Sequence, residues 1–381
     1  MDYIFFRFNQ KMMYNTDEQI IQELVSPFIS IIVPLKTEIN EHQWNRLKID
    51  KIRKKTLNQI NQSFDKDIAL KLETNFEQLI SQIKPNYKVK GLGLYFSPES
   101  YRIVEFPFEV KEKFIIDDHF NLKDIYYLSS STLNYLLLEL NFGEIKLFEG
   151  YSNQLREIKD KVFPIKIVDD REYAKPSIAR SYGYGMQTTE DDAERIRLKH
   201  LMNYIDIADD QLNFYLLQNE VLFIAGEKKE TALFTKHSSH SNKISSLIAS
   251  NYIHQPLHEK VILLKEIIAN YILQEENKLL KRLEDAIGKK LAVTGIQQVW
   301  NAAKEGKGLI LMIEKDFEIK GFEVDEEQHL YLNVPDKNYN LVADAAEDCI
   351  STVLSKGGKV VVFDNNQLLN YNRVAMILRF K

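Results

Sequence analysis

Basic side chains flank a short glycine-containing stretch near the middle of the chain. Arg180 precedes this stretch, and Arg195, Arg197 and Lys199 follow it. Guanidinium and ammonium groups neutralise phosphates, and clusters of them supply much of the affinity of proteins for nucleic acid. Tyr184, inside the stretch, offers an aromatic ring on which an unpaired base can stack. These residue types at this spacing favour a contact with RNA.

A second basic run lies between residues 46 and 55. Its one acidic residue is Asp50, and its cations are Arg46, Lys48, Lys51, Arg53, Lys54 and Lys55. A run of this density suits phosphate binding. It is equally typical of the solvated face of a helix, so both interpretations stay open.

The stretch between the central cations reads Gly183-Tyr184-Gly185-Met186-Gln187, and a long helical pattern begins at Glu190. Apolar side chains recur along that pattern at steps of three and four, namely Ile196, Leu201, Tyr204, Ile205, Ala208, Leu212, Tyr215 and Leu216. This spacing predicts one buried helix face. A loop on a well-anchored helix is a common way to present a functional tip. The alternative is a mobile surface loop that merely contains Gln187.

The remaining pattern predicts an α/β protein of three consecutive domains. Residues 1–150 form the expected N-terminal α/β domain, with a buried strand over 29–33, helices over 43–60 and 67–83, and a run of strands that ends in a hairpin around residues 141–144. Residues 151–290 form the expected central domain, which carries the glycine loop and the long helix. Residues 291–381 form the expected C-terminal domain.

The C-terminal region alternates helices and strands closely enough to predict a small α/β/α sandwich. Glycines mark the ends of its helices, at Gly306 and at Gly357-Gly358. The expected elements are a helix over 296–304, a strand over 309–313, a helix over 341–354, and strands over 360–363 and 374–378.

Composition limits the class of protein. The 381 residues carry a formal charge of −5, so RNA contact would depend on local basic patches rather than on a global field. The single cysteine, Cys349, excludes an intramolecular disulfide framework and suits a reducing cytoplasm. The longest apolar run, 28–35, is far shorter than the ~20 residues of a membrane span. We expect a cytoplasmic protein without a membrane partner.

The sequence indicates no metal or cofactor site. His237 and His240 are three residues apart, and His254 and His258 are four apart, but Ser238, Ser239 and Pro256 interrupt these segments. No cysteine or carboxylate completes a familiar ligand spacing. The run 356–359 lacks the pattern and the context of a phosphate-binding P-loop.

Together, these motifs resemble the archaeo-eukaryotic class I release factor family, and in particular its bacterial members of unassigned role. The resemblance covers roughly residues 160–381. Three groups of residues carry it: the loop Gly185-Met186-Gln187 with Arg195, Arg197 and Asn203-Tyr204 on the following helix; the turn 302–306 with the strand 309–313; and the terminal strand 374–380 with its Leu-Arg-Phe ending.

The resemblance implies a protein shaped to enter the ribosomal A site and to contact rRNA and tRNA there. Gln187 would take the position of the glutamine that orients water for ester hydrolysis. Met186 replaces the family's second glycine, and a side chain in a glycine-only conformation costs about 1–3 kcal/mol. The first domain lacks a codon-reading motif of the family.

We therefore expect a factor that occupies the A site, in rescue or hibernation, rather than one that terminates translation at stop codons. The resemblance also implies a translational GTPase as a partner of the last domain. Two alternatives stay open. One is an active peptidyl-tRNA esterase, and the other is a ribosome-independent RNA-binding or interaction protein that keeps the fold.

Overall fold

The structure is a computed structural model that describes residues 26–38, 41–83, 89–141, 143–151, 154–166, 190–216, 221–249, 252–324 and 329–381. Its helices are α1 (His42–Ser63), α2 (Lys66–Gln82), α3 (Lys123–Ser131), α4 (Glu190–Leu212), α5 (Lys228–His237), α6 (Leu257–Gly288), α7 (Ile296–Lys304) and α8 (Ala345–Ser355). None of these described helices is long and apolar enough to cross a membrane.

The strands fall into four sheets. Those before α4 are β1 (Phe28–Pro34), β2 (Gly91–Phe96), β3 (Tyr101–Phe106), β4 (Lys113–Asp117), β5 (Asn134–Leu140), β6 (Glu144–Tyr151), β7 (Gln154–Glu157) and β8 (Ile165–Lys166). Those after it are β9 (Val221–Gly226), β10 (Ile244–Ala249), β11 (Ala292–Thr294), β12 (Gly308–Glu314), β13 (Gly321–Val324), β14 (His329–Tyr331), β15 (Asn340–Val342), β16 (Lys359–Phe363) and β17 (Val374–Leu378).

The chain divides into two compact units. Unit 1 combines Met1–Ser130 with Leu279–Lys381, and unit 2 is Ser131–Lys278. We call the two parts of unit 1 the first domain and the last domain. The mixed α/β class expected from the sequence is confirmed.

The first domain is an antiparallel sheet of order β3-β2-β1-β4. Alternate residues of a strand face opposite sides, and both sides of β1 are apolar. Ile29 and Ile31 pack with Leu72 and Phe76 of α2. Ile32, on the other side, joins a core that continues into the last domain. Burial on both faces explains why the run reads as continuously apolar.

The last domain is the expected three-layer sandwich. Its central sheet has the order β11-β17-β12-β16. Leu311 and Ile313 of β12 face α7 and α8, whereas Ile310 and Met312 pack with Leu283, near the end of α6. The alternation along β12 therefore fixes which helices cover each face of the sheet.

A small sheet of order β14-β13-β15 interrupts the last domain, and it changes one prediction. The helix predicted from residue 341 begins at Ala345 instead, because residues 340–342 pair with β13. Asp344 caps the helix by accepting a hydrogen bond from the Ala346 amide at 3.1 Å, as expected of an N-cap residue.

The first and last domains share one hydrophobic core within unit 1. Phe120, Leu122 and Tyr126 of the first domain pack in the same cluster as Ala346 and Ile350 of α8. The sequence predicts separate folding units for these domains, because residues this far apart in the chain show no common periodicity.

Unit 2 contains a sheet of order β10-β9-β5-β6-β7, with β8 paired to β6. The hairpin β5–β6, which the sequence analysis placed in the N-terminal domain, belongs here because β5 pairs in parallel with β9. A boundary near Gly150 therefore cuts through a sheet. The long connection between β5 and β9 hid this pairing, since a parallel pair needs a crossover rather than a tight turn.

The helix α4 covers one face of this sheet. Its buried residues Leu201, Ile205, Ala208 and Leu212 contact the sheet cluster that contains Leu138. Each large apolar side chain buried in this way stabilises the fold by about 1.5–3 kcal/mol relative to exposure. The opposite face packs against α6. The predicted buried stripe of α4 is confirmed from Leu201 onward.

Candidate functional site

The predicted glycine loop lies outside the described residues. This applies to Arg180, Gly183, Tyr184, Gly185, Met186 and Gln187. The backbone of α4 begins at Glu190 and carries Arg195, Arg197 and Lys199, whose side chains are also outside the description. The roles assigned to these residues therefore stay predictions. The structure describes the segments on either side, which end at residue 166 and resume at residue 190.

The chain enters residues 167–189 from a segment fixed to the unit 2 core. Ile165 of β8 pairs with Ile145 of β6. Just before it, Asp160 accepts hydrogen bonds from the Val162 amide at 2.8 Å and from the Phe163 amide at 2.9 Å. The entry to residues 167–189 is thus held by a strand pair and a closed turn.

The same turn is bonded to the far end of α4. The Tyr215 hydroxyl donates to Asp160, and the Tyr215 ring meets the Phe163 ring edge-on at 5.5 Å between centroids. Burial raises the pKa of Asp160, but the hydrogen bonds from Tyr215, Phe163 and Val162 outweigh this effect and leave the pKa below its ordinary value. Both flanks of residues 167–189 are therefore attached to one core.

A second anchor fixes the last turns of α4. Asp209 is buried and accepts hydrogen bonds from the Ser239 amide at 2.9 Å, the Ser239 hydroxyl at 2.7 Å and His240 Nδ1 at 3.0 Å. The Ser238 hydroxyl donates to it as well. Burial raises the pKa of Asp209, but the bonds from Ser238, His240 and Ser239 prevail and lower it.

The ring of His240 is held between two acceptors. Its Nε2 lies 3.0 Å from Asn213 Oδ1, while Asn213 Nδ2 donates to the Asp210 carbonyl oxygen at 3.1 Å. That second bond fixes the orientation of the amide, so Oδ1 faces the ring. One ring nitrogen of His240 therefore faces the Asp209 carboxylate and the other faces the Asn213 amide oxygen, so both nitrogens of the ring are occupied.

This serine–histidine–aspartate group is an anchor rather than a catalytic triad. In a triad, the serine hydroxyl bonds the histidine nitrogen that is remote from the aspartate. Here Ser239 donates to Asp209 itself, and the remote nitrogen of His240 is occupied by Asn213. Sequence reasoning missed this group because Asp209 and His240 are 31 positions apart.

The histidine pairs considered from the sequence do not converge. His240 is buried in the anchor, whereas His237 is exposed, as are His254 and His258. Among the described residues, Asp117, Asp118 and His119 form the group whose candidate ligand atoms lie within 4.8 Å of one another. His119 Nδ1 faces the Phe120 carbonyl oxygen at 3.2 Å, and Nε2 faces Asp348 at 3.3 Å. Both nitrogens are engaged, so this group does not fit a metal.

The basic run on α1 splits into paired and unpaired cations. Lys48 bonds Glu112 at 3.1 Å, and Arg53 bonds Glu77 through two contacts of 2.8 Å. Arg46, Lys51 and Lys54 are exposed and make no ion pair within the described part of the chain, whereas Lys55, which also makes none there, lies over the Phe114 ring at 5.2 Å. These three cations remain available to a phosphate, although a solvated helix face would look the same.

Comparison of the sequence with protein families gives one match that includes the predicted loop. The profile of the Bacterial archaeo-eukaryotic release factor family 3 matches residues 134–307. This range begins at Asn134, the first residue of β5, and ends just after α7. It therefore covers unit 2 from Asn134 onward. Comparison with curated proteins gives no significant match.

Solved structures resemble the chain at low identity. The archaeal translation termination factor aRF1 is 13% identical, with 97% of this chain and 98% of that chain covered and a TM-score of 0.24. Pelota from Archaeoglobus fulgidus is 15% identical, with 76% and 80% covered and a TM-score of 0.33. Dom34 from S. cerevisiae, a translation termination-like factor, is 14% identical, with 74% and 73% covered and a TM-score of 0.37.

TM-scores this low indicate only a loose agreement of the backbones. These three similarities therefore assign neither a family nor a function to the chain. The family match starts earlier than the expected resemblance and stops before β13, but it contains both the loop and the helix that carry the motif. Over residues 134–307, the resemblance of this chain to the bacterial archaeo-eukaryotic release factors is thereby confirmed.

Proposed function

We propose that this protein occupies the A site of the cytoplasmic ribosome in the manner of a release factor, in rescue or hibernation, and without stop-codon-dependent hydrolysis. The observation that carries the proposal is the family match over residues 134–307, because this segment holds Gln187 and the basic start of α4. Gly183, Tyr184, Gly185 and Met186 would shape the tip.

The scaffold supports this role. Strand β8 and the turn at Asp160 fix one flank of residues 167–189, and the buried stripe and the Asp209 anchor fix the other. A firmly mounted base limits the conformational entropy that the intervening segment loses when it binds. Arg180, Arg195, Arg197 and Lys199 would hold rRNA or tRNA phosphates beside the tip.

Met186 is the reason for proposing occupancy rather than hydrolysis. The family's paired glycines allow positive φ at both positions, and a methionine at the second one makes such a conformation costly by about 1–3 kcal/mol. Its side chain also adds bulk where the peptidyl-tRNA ester would approach. A translational GTPase is the partner that we propose for the last domain, on the family resemblance alone.

The retained Gln187 favours one rival, an active peptidyl-tRNA esterase. This rival predicts release of peptide from loaded ribosomes, and loss of that release in Gln187→Ala. The net charge of −5 favours a second rival, a ribosome-independent interaction protein. Such a protein would not sediment with ribosomes at any salt concentration.

Co-sedimentation with ribosomes through a sucrose gradient tests the proposal. We expect the full chain to sediment with ribosomes, and a variant lacking residues 181–189 to bind more weakly. Replacing Arg195, Arg197 and Lys199 by Gln should reduce the salt dependence of binding, by about one unit of slope for each phosphate that is no longer neutralised.

The matched control replaces three exposed lysines elsewhere, Lys265, Lys281 and Lys289, by Gln, which changes the net charge equally. We expect this control to bind like the native chain. Equal weakening of both triple variants would indicate a general charge effect and would contradict a site at the start of α4.

A further inference from the structure

A cavity of about 260 Å³ lies within unit 1, between β4 of the first domain and the beginning of α8 in the last domain. Its ionisable lining is acidic in balance. Lys113 and His119 provide the cations, and the carboxylates are Asp117, Glu318, Asp344, Glu347 and Asp348. The excess of carboxylates gives the cavity a negative potential that favours a cationic occupant.

One of these carboxylates has an oxygen without a partner. Glu347 is only 4% exposed, and its Oε1 accepts hydrogen bonds from the Leu122 and Lys123 amides. Its Oε2 is buried and has no hydrogen-bond partner within the described part of the chain. Asn121 is another residue of the cavity lining, and its amide oxygen is likewise buried without a hydrogen-bond partner within the described part of the chain. Buried polar atoms normally have partners, so these two oxygens point to a missing donor.

The two lysines near Glu347, Lys113 and Lys123, are bonded to other groups. Lys113 Nζ lies 3.1 Å from Asp124 and 3.6 Å from Glu318. Lys123 Nζ donates to the Phe317 carbonyl oxygen at 2.7 Å and lies 3.2 Å from Asp344. The side-chain bonds of these two lysines therefore leave Glu347 Oε2 without a donor.

The geometry points to a binding site for a small organic cation, a primary amine or a guanidinium group, whose N–H groups bond the carboxylates that line the cavity, Glu347 among them. Water alone would occupy about 30 Å³ per molecule and would bring no charge to balance the carboxylates. All residues that line the site belong to unit 1, and the inference does not depend on the proposed function.

A divalent cation fits this cavity less well. Calcium and magnesium need six or more oxygen ligands gathered at about 2.0–2.6 Å. Among the described residues, the one group with three clustered candidate ligands is Asp117, Asp118 and His119, and both nitrogens of His119 are already bonded. The N–H groups of an amine can instead reach acceptors that are spread around the cavity wall.

Burial raises the pKa of Glu347 to about 7, although Lys123, the Leu122 amide and Lys113 act in the opposite direction. The other charged groups that face the cavity are His119, Asp117 and Lys113 from the first domain, and Glu318, Asp344 and Asp348 from the last. An organic cation favours the ionised form of Glu347, so its binding at pH 7 should release part of a proton.

Titration calorimetry with 1,4-diaminobutane and with agmatine as probes tests the site, with 1,4-butanediol as an uncharged control and with MgCl₂ and CaCl₂ in separate titrations. We expect saturable binding of a cationic probe that tightens between pH 6 and 8. Repeating the titration at pH 7 in phosphate and in Tris should give heats that differ in proportion to the protons released.

Glu347→Gln should weaken the probe at least tenfold, because its amide oxygen still accepts from Leu122 and Lys123 while the charge is lost. Asp117→Asn, at an exposed lining position, should weaken it a few-fold without risk to the fold. Asp336→Asn, exposed and outside the cavity, is the matched control and should change nothing.

Three results would overturn the proposal: equal affinity in Glu347→Gln with its unfolding temperature unchanged, equal binding of 1,4-butanediol, or binding of Mg²⁺ or Ca²⁺ in preference to both amines.

Discussion

Asp209 in unit 2 and Glu347 in unit 1 are both buried carboxylates, yet the pKa of Asp209 is lowered and that of Glu347 is raised to about 7. Burial opposes ionisation at both sites. Both oxygens of Asp209 accept hydrogen bonds, whereas one oxygen of Glu347 has no partner within the described residues. The donors that reach the carboxylate, together with the depth of its burial, therefore decide which effect prevails.

The difference separates two uses of a buried charge. The Asp209 group is satisfied in itself and fixes α4 to the loop that carries His240. The Glu347 group joins the first and last domains through backbone amides but leaves one acceptor free. We expect a satisfied network to stabilise the fold and an incomplete one to respond to pH and to ligands.

The largest expected effect comes from removing the charge in unit 2. Asp209→Ala leaves the His240 ring and two serine hydroxyls without their acceptor. At about 1–3 kcal/mol for each buried donor left unsatisfied, we expect a loss of about 3–5 kcal/mol in the free energy of unfolding of unit 2. Hydrogen exchange of the β9 amides measures this loss. Asp210→Ala, at the exposed neighbouring position, is the control and should change the free energy by less than about 0.5 kcal/mol.

The contributions of Glu347 and His119 in unit 1 and of Asp209 and Asp160 in unit 2 should depend on pH with opposite signs. The pKa of Glu347 is raised to about 7 and that of His119 to about 9. Glu347 binds a proton more tightly in the folded state, so its contribution to stability falls as pH rises from about 4.5 to 7. The His119–Asp348 pair contributes fully below about pH 6.5 and is lost as pH rises through about 9. Unit 1 should therefore weaken toward alkaline pH.

In unit 2, the pKa values of Asp209 and Asp160 are lowered, so their contribution to stability rises with pH, opposite to that of Glu347 and His119. Their contribution is present above the ordinary carboxyl pKa of 3.8 and is lost as pH falls below it. The two tryptophans of the chain, Trp44 and Trp300, both lie in unit 1. Tryptophan fluorescence therefore reports unit 1, and β9 exchange reports unit 2. Equal changes of the two signals below pH 3.8 in the native chain and in Asp209→Asn would contradict the role given to Asp209.

A smaller effect is expected where the network is redundant. Ser239→Ala removes one hydroxyl donor from Asp209, while the Ser238 hydroxyl, the Ser239 amide and His240 remain. We expect a loss of about 1 kcal/mol, the ordinary value for one hydrogen bond, measured by the same exchange of β9. A loss as large as that of Asp209→Ala would mean that the donors act as a single unit.

The smallest expected effect on stability is that of Glu347→Gln. The amide oxygen of Gln keeps the bonds to Leu122 and Lys123, so the free energy of unfolding of unit 1 at pH 7 should change by no more than about 1 kcal/mol. The slope of stability against pH between about 4.5 and 7 should flatten, because the titrating group is gone. Urea unfolding followed by tryptophan fluorescence at pH 5 and pH 8 measures both. An unchanged slope would assign the pH response to other groups.

Sequence periodicity was sufficient to predict the helices that bury one continuous face. The stripe from Leu201 to Leu212 predicted both the existence of α4 and the side that packs on the sheet. The helix 296–304 was predicted with its observed bounds, since the apolar residues Val299 and Trp300 and the terminal Gly306 agree. The start of α8 was wrong because the pairing of Leu341 with Phe322 is invisible to a helical pattern.

Sequence alone determined the α/β class, the long helix with its preceding glycine stretch, and the resemblance that the family match confirms, because periodicity, capping and short motifs are local properties of a chain. Tertiary structure alone decided that β5 pairs with β9, that the first and last domains share a core, and that Asp209 is saturated with donors while Glu347 is not. Each of these depends on contacts between distant residues, and neither the partners of a buried group nor its resulting pKa can be read from the neighbours of that group in the sequence.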